Sequence, residues 1–204
     1  MHANVTTALL ALHFQNDILD EHGKVRVGFV AGDRGRERFI DQAARLLNGA
    51  RGCGIAVISV RIAFPDGYIG VVQNAPIFRD VARSGALAEG SWGAEFHEQL
   101  SPKDGEAVVS HTRVNAFFDS DLDHVLQQLG VRRVLVAGVA THSTVEHSAR
   151  HATDLGYDVT IVADACASAD PELHAASLRS LAPHVDRIAT VDELLADLGS
   201  DVAA

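Results

Sequence analysis

The chain alternates short, continuous apolar runs with longer segments whose apolar residues recur every three or four positions. Ala8-Leu9-Leu10-Ala11-Leu12 is hydrophobic throughout, the pattern of a strand buried on both faces of a parallel sheet. Residues 55–60 (IAVISV), 107–110 (AVVS), 134–137 (VLVA) and 159–163 (VTIVA) repeat it, and 187–189 reads as a short sixth strand. Between them, 39–49, 122–129, 143–155, 171–181 and 191–198 carry the spacing of amphipathic helices. Gly52 and Gly54 mark the end of the first helix, and 198–204 reads as a frayed end. This alternation predicts right-handed crossovers around a mostly parallel sheet: an α/β protein with three α/β/α layers. At 204 residues, 1–204 is read as a single domain.

One stretch breaks the rhythm. Residues 64–103 are rich in Gly and Pro, with one short helix expected over 76–83, and read as a lid, an interface or plain packing.

Charge and composition narrow the partners. Asp and Glu number 27 against 17 Lys and Arg, a formal net charge of −10, which disfavours nucleic acid and anionic membrane as partners. No apolar run approaches a membrane span, and residues 1–7 lack a basic start followed by an apolar core, so no signal peptide is expected. The two cysteines, Cys53 and Cys166, form no C-x-x-C pair, which fits a reducing compartment. The expectation is a soluble, cytoplasmic protein acting on a small molecule.

Cofactor signatures fail. Gly28, Gly32 and Gly35 have the wrong spacing for a dinucleotide loop, and no phosphate-loop motif exists. His147 and His151 share a helix face, but His-Ser-Ala-Arg-His lacks the glutamate of a zinc motif; with His142 they read as surface or interface histidines. Neither cofactor nor metal is expected.

The strand ends carry the chemistry. His13 closes the first strand, His111 follows the third, and Gly138 to Thr144 close the fourth. In an open parallel sheet these carboxyl ends form one edge, where ligands bind. Imidazoles there can serve as general acid or base. Thr144 falls in a first helical turn, whose free N–H groups can stabilise an anion. The plainer alternatives are a hydrogen-bonded core histidine at position 13 and a helix cap at Thr141 or Ser143.

Several segments together resemble one known family: Phe14-Gln15-Asn16-Asp17, Gly90-Ser91-Trp92-Gly93-Ala94-Glu95, Thr112-Arg113-Val114-Asn115-Ala116-Phe117, Gly138-Val139-Ala140-Thr141, and Gly156-Tyr157-Asp158-Val159 followed by Asp164-Ala165-Cys166-Ala167-Ser168. In order and spacing they are similar to the isochorismatase-like hydrolases, a superfamily that includes isochorismatases, nicotinamidases and N-carbamoylsarcosine amidohydrolase. The resemblance implies a six-stranded parallel sheet, a homodimer or higher homo-oligomer, and a cis peptide between Val139 and Ala140. The family's cysteine hydrolases use an Asp, a Lys and a nucleophilic Cys. Those positions fall on His13, His111 and Thr144, so all three have changed. Asp17 is the second acid of its motif and does not inherit the catalytic role. Cys53 and Cys166 stand elsewhere; Cys166 reads as a packed residue after the fifth strand. His174 matches a family histidine and reads as structural.

Three functions stay open. The favoured one is hydrolysis of a small, cyclic or aromatic metabolite by acid–base chemistry at His13 and His111, with Thr144 positioning the substrate. A second is an amidase or esterase with Thr144 as nucleophile and the N–H groups of Thr144 and Ala140 as oxyanion site. A third is a binding or non-hydrolytic member. For substrate binding, Gln15 and Asn16 can orient polar groups, and Arg61 and Arg113 can hold a carboxylate or form structural salt bridges. Trp92 and Phe117, with their aromatic neighbours, suggest a ring substrate or simply core packing.

Overall fold

The computed structural model describes residues 6–202, with side chains through residue 199. Most of the 1–7 leader reading and the last residues of the chain lie outside that range. Six strands form one sheet: β1 (Thr7–Leu12), β2 (Ala56–Ile62), β3 (Ala107–His111), β4 (Arg133–Val139), β5 (Asp158–Ala167) and β6 (Arg187–Ala189). Their order is β3-β2-β1-β4-β5-β6, and every neighbouring pair is parallel. The helices are α1 (Asn16–Leu19), α2 (Gly35–Gly52), α3 (Pro76–Ser84), α4 (Leu122–Gln128), α5 (Glu146–Asp154), α6 (Pro171–Leu181) and α7 (Val191–Val202).

The apolar run of β1 is sorted by its period of two. Leu9 and Ala11 join the core under α2 and α7, while Ala8, Leu10 and Leu12 join the core under α4, α5 and α6. Each fully buried leucine contributes about 2 kcal/mol of transfer free energy, which is why the central strand needs no polar face. The three layers follow directly, with one hydrophobic core on each side of the sheet.

Several boundaries differ from the sequence expectation. The first long helix begins at Gly35 and ends at Gly52, because tertiary packing of Arg36, Phe39 and Ile40 fixes its first turn. β2 extends through Arg61 and Ile62, and β3 includes His111, since Ile62 and His111 pair across the ladder. β5 runs on to Ala167 past a register shift in its pairing with β4, so Cys166 lies inside the strand rather than after it. α7 continues to Val202 instead of fraying at Leu198. The fourth crossover helix does not begin at Ser143: Thr141–Val145 form a wider π-type turn, and α5 starts only at Glu146.

Where β4 passes the end of β1, a glycine is obligatory. Gly138 has φ +151°, and a Cβ there would sit 2.3 Å from the Leu12 carbonyl oxygen. Gly138→Ala is therefore expected to destabilise the protein by about 2 kcal/mol or more. Gly52→Ala, with nothing within 4 Å of the added atom, should be neutral or slightly stabilising. Urea denaturation of both variants checks this; equal stabilities would contradict the close approach at Gly138.

Candidate active site

The carboxyl ends of β1, β2, β3 and β4 meet at one edge, and the chain turns sharply there. His13, directly after β1, adopts φ +61°, a conformation rarely taken by a residue with a Cβ. Its N–H still donates to the Val60 carbonyl at 2.8 Å, so the turn begins only after the β2 ladder is complete. The turn aims the His13 ring at His111, the last residue of β3. The two Nε2 atoms are 2.7 Å apart, the rings lie nearly parallel with centroids 4.9 Å apart, and both side chains are buried.

A hydrogen bond between two imidazole nitrogens needs one proton, not two. One ring presents Nε2–H and the other a bare Nε2. Both rings are held neutral. Burial, reinforced by the neighbouring His111, depresses the pKa of His13 well below the ordinary histidine value. Burial, offset in part by the backbone of Asn115, lowers His111 to about 4. The backbone of Val139 favours a proton on His13 and that of Asn115 a proton on His111, so either ring can supply the shared proton. The His111 Nδ1 is buried with no hydrogen bond of normal geometry.

Beside His13 is a cavity lined also by Arg113, Val139, Ala140, Ser143 and Thr144, with apolar walls from 18–27 and from the 64–87 segment. The Val139–Ala140 peptide bond is cis. Thr144 is buried, and among the described residues its hydroxyl makes no hydrogen bond to either histidine. Next to this turn, Thr141 Oγ1 and His174 Nδ1 are 2.8 Å apart, and the Ser177 hydroxyl donates to the Thr141 carbonyl. Thr141 thus spends its hydroxyl on His174 and caps nothing; neither it nor Ser143 caps the helix through its side chain. The sequence offered no signal for the Thr141–His174 contact, which joins segments 33 residues apart.

The remaining expected site residues divide between wall and scaffold. Of the substrate-binding set, Arg113 and Ala140 line the cavity, whereas Gln15, Asn16, Arg61, Trp92 and Phe117 do not. Gln15 is fully buried; its amide donates to the carbonyls of Ile62 and Ala94 and accepts from the Ile62 N–H. Asn16 donates to the Trp92 carbonyl, and the Trp92 side chain is half exposed. Arg61 donates to the Ser110 hydroxyl. Phe117 stacks on His151 and Tyr157 in the core on the opposite sheet face. Asp17 is buried, and both carboxylate oxygens accept backbone N–H groups, from Lys24 at 3.1 Å and Leu87 at 2.7 Å. A Cβ on Gly93 would fall 2.0 Å from an Asp17 oxygen, which accounts for glycine there. Burial pushes the Cys166 thiol up to about 12, leaving it no nucleophile. Among the described residues no group of three His, Cys, Asp or Glu is placed to hold a metal, and no helix is long and apolar enough to cross a membrane.

The gathering of His13, His111, Thr141 and His174 at the strand ends is a divergent hydrolase-type site, without a cysteine at its centre. Comparison with known proteins places it in context. An isochorismatase domain model matches residues 7–193. The Arabidopsis thaliana protein named "probable inactive nicotinamidase" is 32% identical over 180 residues, covering 84% of this chain and 86% of its own. Ureidoacrylate amidohydrolase RutB of Caulobacter segnis is 30% identical over 182 residues, covering 82% of this chain and 74% of its own. The crystal structure of an isochorismatase family protein from Desulfovibrio vulgaris superposes with a TM-score of 0.81 at 28% identity, covering 98% of this chain and all of that one. The chain belongs to the isochorismatase family, with an atypical arrangement at the site and no cysteine there.

Proposed function

We propose that the protein hydrolyses a small, cyclic or aromatic metabolite by acid–base chemistry at His13 and His111, without a covalent intermediate. The observation that carries this is the 2.7 Å hydrogen bond between two neutral imidazoles, of which His13 lines the cavity and His111 stands behind it. A neutral histidine pair can take one proton and pass it on, which a buried acid–lysine ion pair cannot do in the same way. Water attacks the scissile carbon, forming the new C–O bond. Its proton passes to the imidazole pair and then to the departing nitrogen or oxygen as that bond breaks. The backbone N–H groups of Thr144 and Ala140 are the donors assigned to the oxygen that gains charge, since both residues line the cavity at the turn. RutB, a relative at 30% identity, is named for amide hydrolysis, which supports an acyl-transfer substrate.

Thr144 takes the role of positioning the substrate. A threonine nucleophile needs a base to remove its proton, and its hydroxyl is bonded to neither imidazole. In a turnover assay against amides, esters and vinyl ethers, His13→Asn and His111→Gln should each lower kcat by about 100-fold or more. Thr144→Ala should keep activity within about tenfold of the parent, and intact mass should show no acyl adduct on the wild type. An adduct on Thr144, or loss of activity confined to T144A, would transfer the role to threonine.

The same pair sets a pH dependence of stability. His111 titrates near 4 in the folded protein against 6.5 in the unfolded chain. Above pH 6.5 neither state is protonated and there is no effect. As pH falls below 6.5 the unfolded chain binds a proton that the folded one excludes, so stability falls by about 1.4 kcal/mol per unit at most. His111 alone should cost about 3 kcal/mol by pH 4, and His13 acts in the same direction. His111→Gln should flatten the slope between pH 6.5 and 4 in urea titrations; parallel slopes would show that His111 is not the titrating group.

A further inference from the structure

We infer that the cavity beside His13 takes a small substrate bearing one carboxylate, and that Arg113 is the residue that selects it. This rests on the acid–base reading of the same site and adds the charge of its substrate. Arg113 stands two residues past β3 and lines the cavity together with His13. Among the described residues it is the one charged side chain in the lining, and no acid is present there. Burial keeps both imidazoles neutral. The lining therefore holds a single formal positive charge with no counter-charge.

The guanidinium is held in place without being neutralised. It donates to the Val72 carbonyl at 2.9 Å and to Asn74 Oδ1 at 3.0 Å, and both acceptors are uncharged. Those contacts use two of its five N–H groups and leave three. Among the described residues Arg113 takes part in no ion pair. Asp119 borders a second hollow that Arg113 also lines, yet the two are not paired. One face of the guanidinium lies 3.5 Å over the Phe78 ring. The side chain is thus fixed before any ligand arrives, and the planar fork of its remaining N–H groups matches a carboxylate.

The surroundings strengthen such a contact. Ile18, Val25, Phe64, Val81 and Leu87 give the cavity hydrocarbon walls, and a charge-assisted hydrogen bond gains from a low local dielectric. The field of the whole chain works the other way, since its net charge of −10 repels anions. A preference for an anion must therefore be local to Arg113. The carboxylate is the handle and not the bond that breaks. The imidazole pair acts on an amide or ester elsewhere in the same molecule, which makes the substrate class a small acid carrying such a group. Asn74 offers a lever on this charge. It is exposed and bonds the guanidinium directly, so Asn74→Asp supplies a carboxylate to Arg113 while keeping the contact that holds the wall.

Butyrate and butyramide share a carbon skeleton, differ in charge and are short enough for a small cavity. Ligand-observed saturation-transfer NMR on the wild-type protein at pH 7.5 should give butyrate a Kd at least about fivefold below that of butyramide. Asn74→Asp should weaken butyrate at least about fivefold and leave butyramide within about twofold. Arg113→Gln should weaken butyrate at least about tenfold. Butyramide binding as tightly as butyrate to the wild type overturns the inference. So does the absence of butyrate binding, or butyrate binding unchanged in N74D. Should R113Q loosen the wall and weaken both probes alike, N74D decides, because it retains the Arg113 contact. The readout is binding, so failure here is distinct from failure of the acid–base reading, which would appear as turnover indifferent to the His13 and His111 variants.

Discussion

The parallel pairing of β1 with β2 on one side and β4 on the other is the constraint from which the site follows. Leu12 aligns with Val60 and with Gly138, and Ile62 aligns with His111. Four strands therefore end near one level, and whatever follows each of them is forced into the same small volume. His13 is the pivot. Its N–H completes the β2 ladder while its positive φ swings the next residues away from the sheet direction. Gln15 then stitches the turn to β2 through both the N–H and the carbonyl of Ile62, and Asp17 ties α1 to Leu87 in the long 64–103 segment. These buried polar side chains bond to backbone because backbone groups leaving a sheet would otherwise be buried without partners.

The electrostatics of the site are consistent with its surroundings. A buried ion pair needs further donors and acceptors to offset the loss of water around both charges. The cavity walls are mostly hydrocarbon, with Arg113, Ser143 and Thr144 the polar side chains beside His13. Two neutral imidazoles sharing one proton suit hydrocarbon walls, and burial keeps them in that form. The neutral pair at positions 13 and 111 and the mostly apolar cavity are thus two sides of one arrangement.

Much of this was legible in the chain because period and spacing report backbone placement. The continuous apolar runs located five strands and the short 187–189 segment the sixth, and the strand-end rule predicts His13, His111 and Thr144 at one edge. What spacing does not report is where a side chain spends its hydrogen bonds. Gln15 and Asn16 sit at the right edge, yet their amides bond to the carbonyls of Ile62, Ala94 and Trp92. Phe117 is only six residues beyond His111, but the loop between them carries it to the opposite core, against His151 and Tyr157. The π-type turn at Thr141–Val145 likewise has no local signature, since its extra residue is accommodated by contacts with α6 such as Thr141 to His174.

Arg113 shows how the irregular segment and the chemistry depend on one another. It follows β3 by two residues, so the sheet fixes its Cα, but its guanidinium reaches across to Val72, Asn74 and Phe78. The 64–103 segment has few regular backbone hydrogen bonds of its own, and α3 presents Phe78 and Val81 to the cavity. A planar cation stacked on an aromatic ring and held by two acceptors gives that wall an attachment to the sheet that a lysine, with a compact and strongly hydrated charge, would not reproduce. Those contacts use two of the five guanidinium N–H groups, so one side chain both fastens the wall that carries α3 and keeps an unpaired positive charge at the cavity.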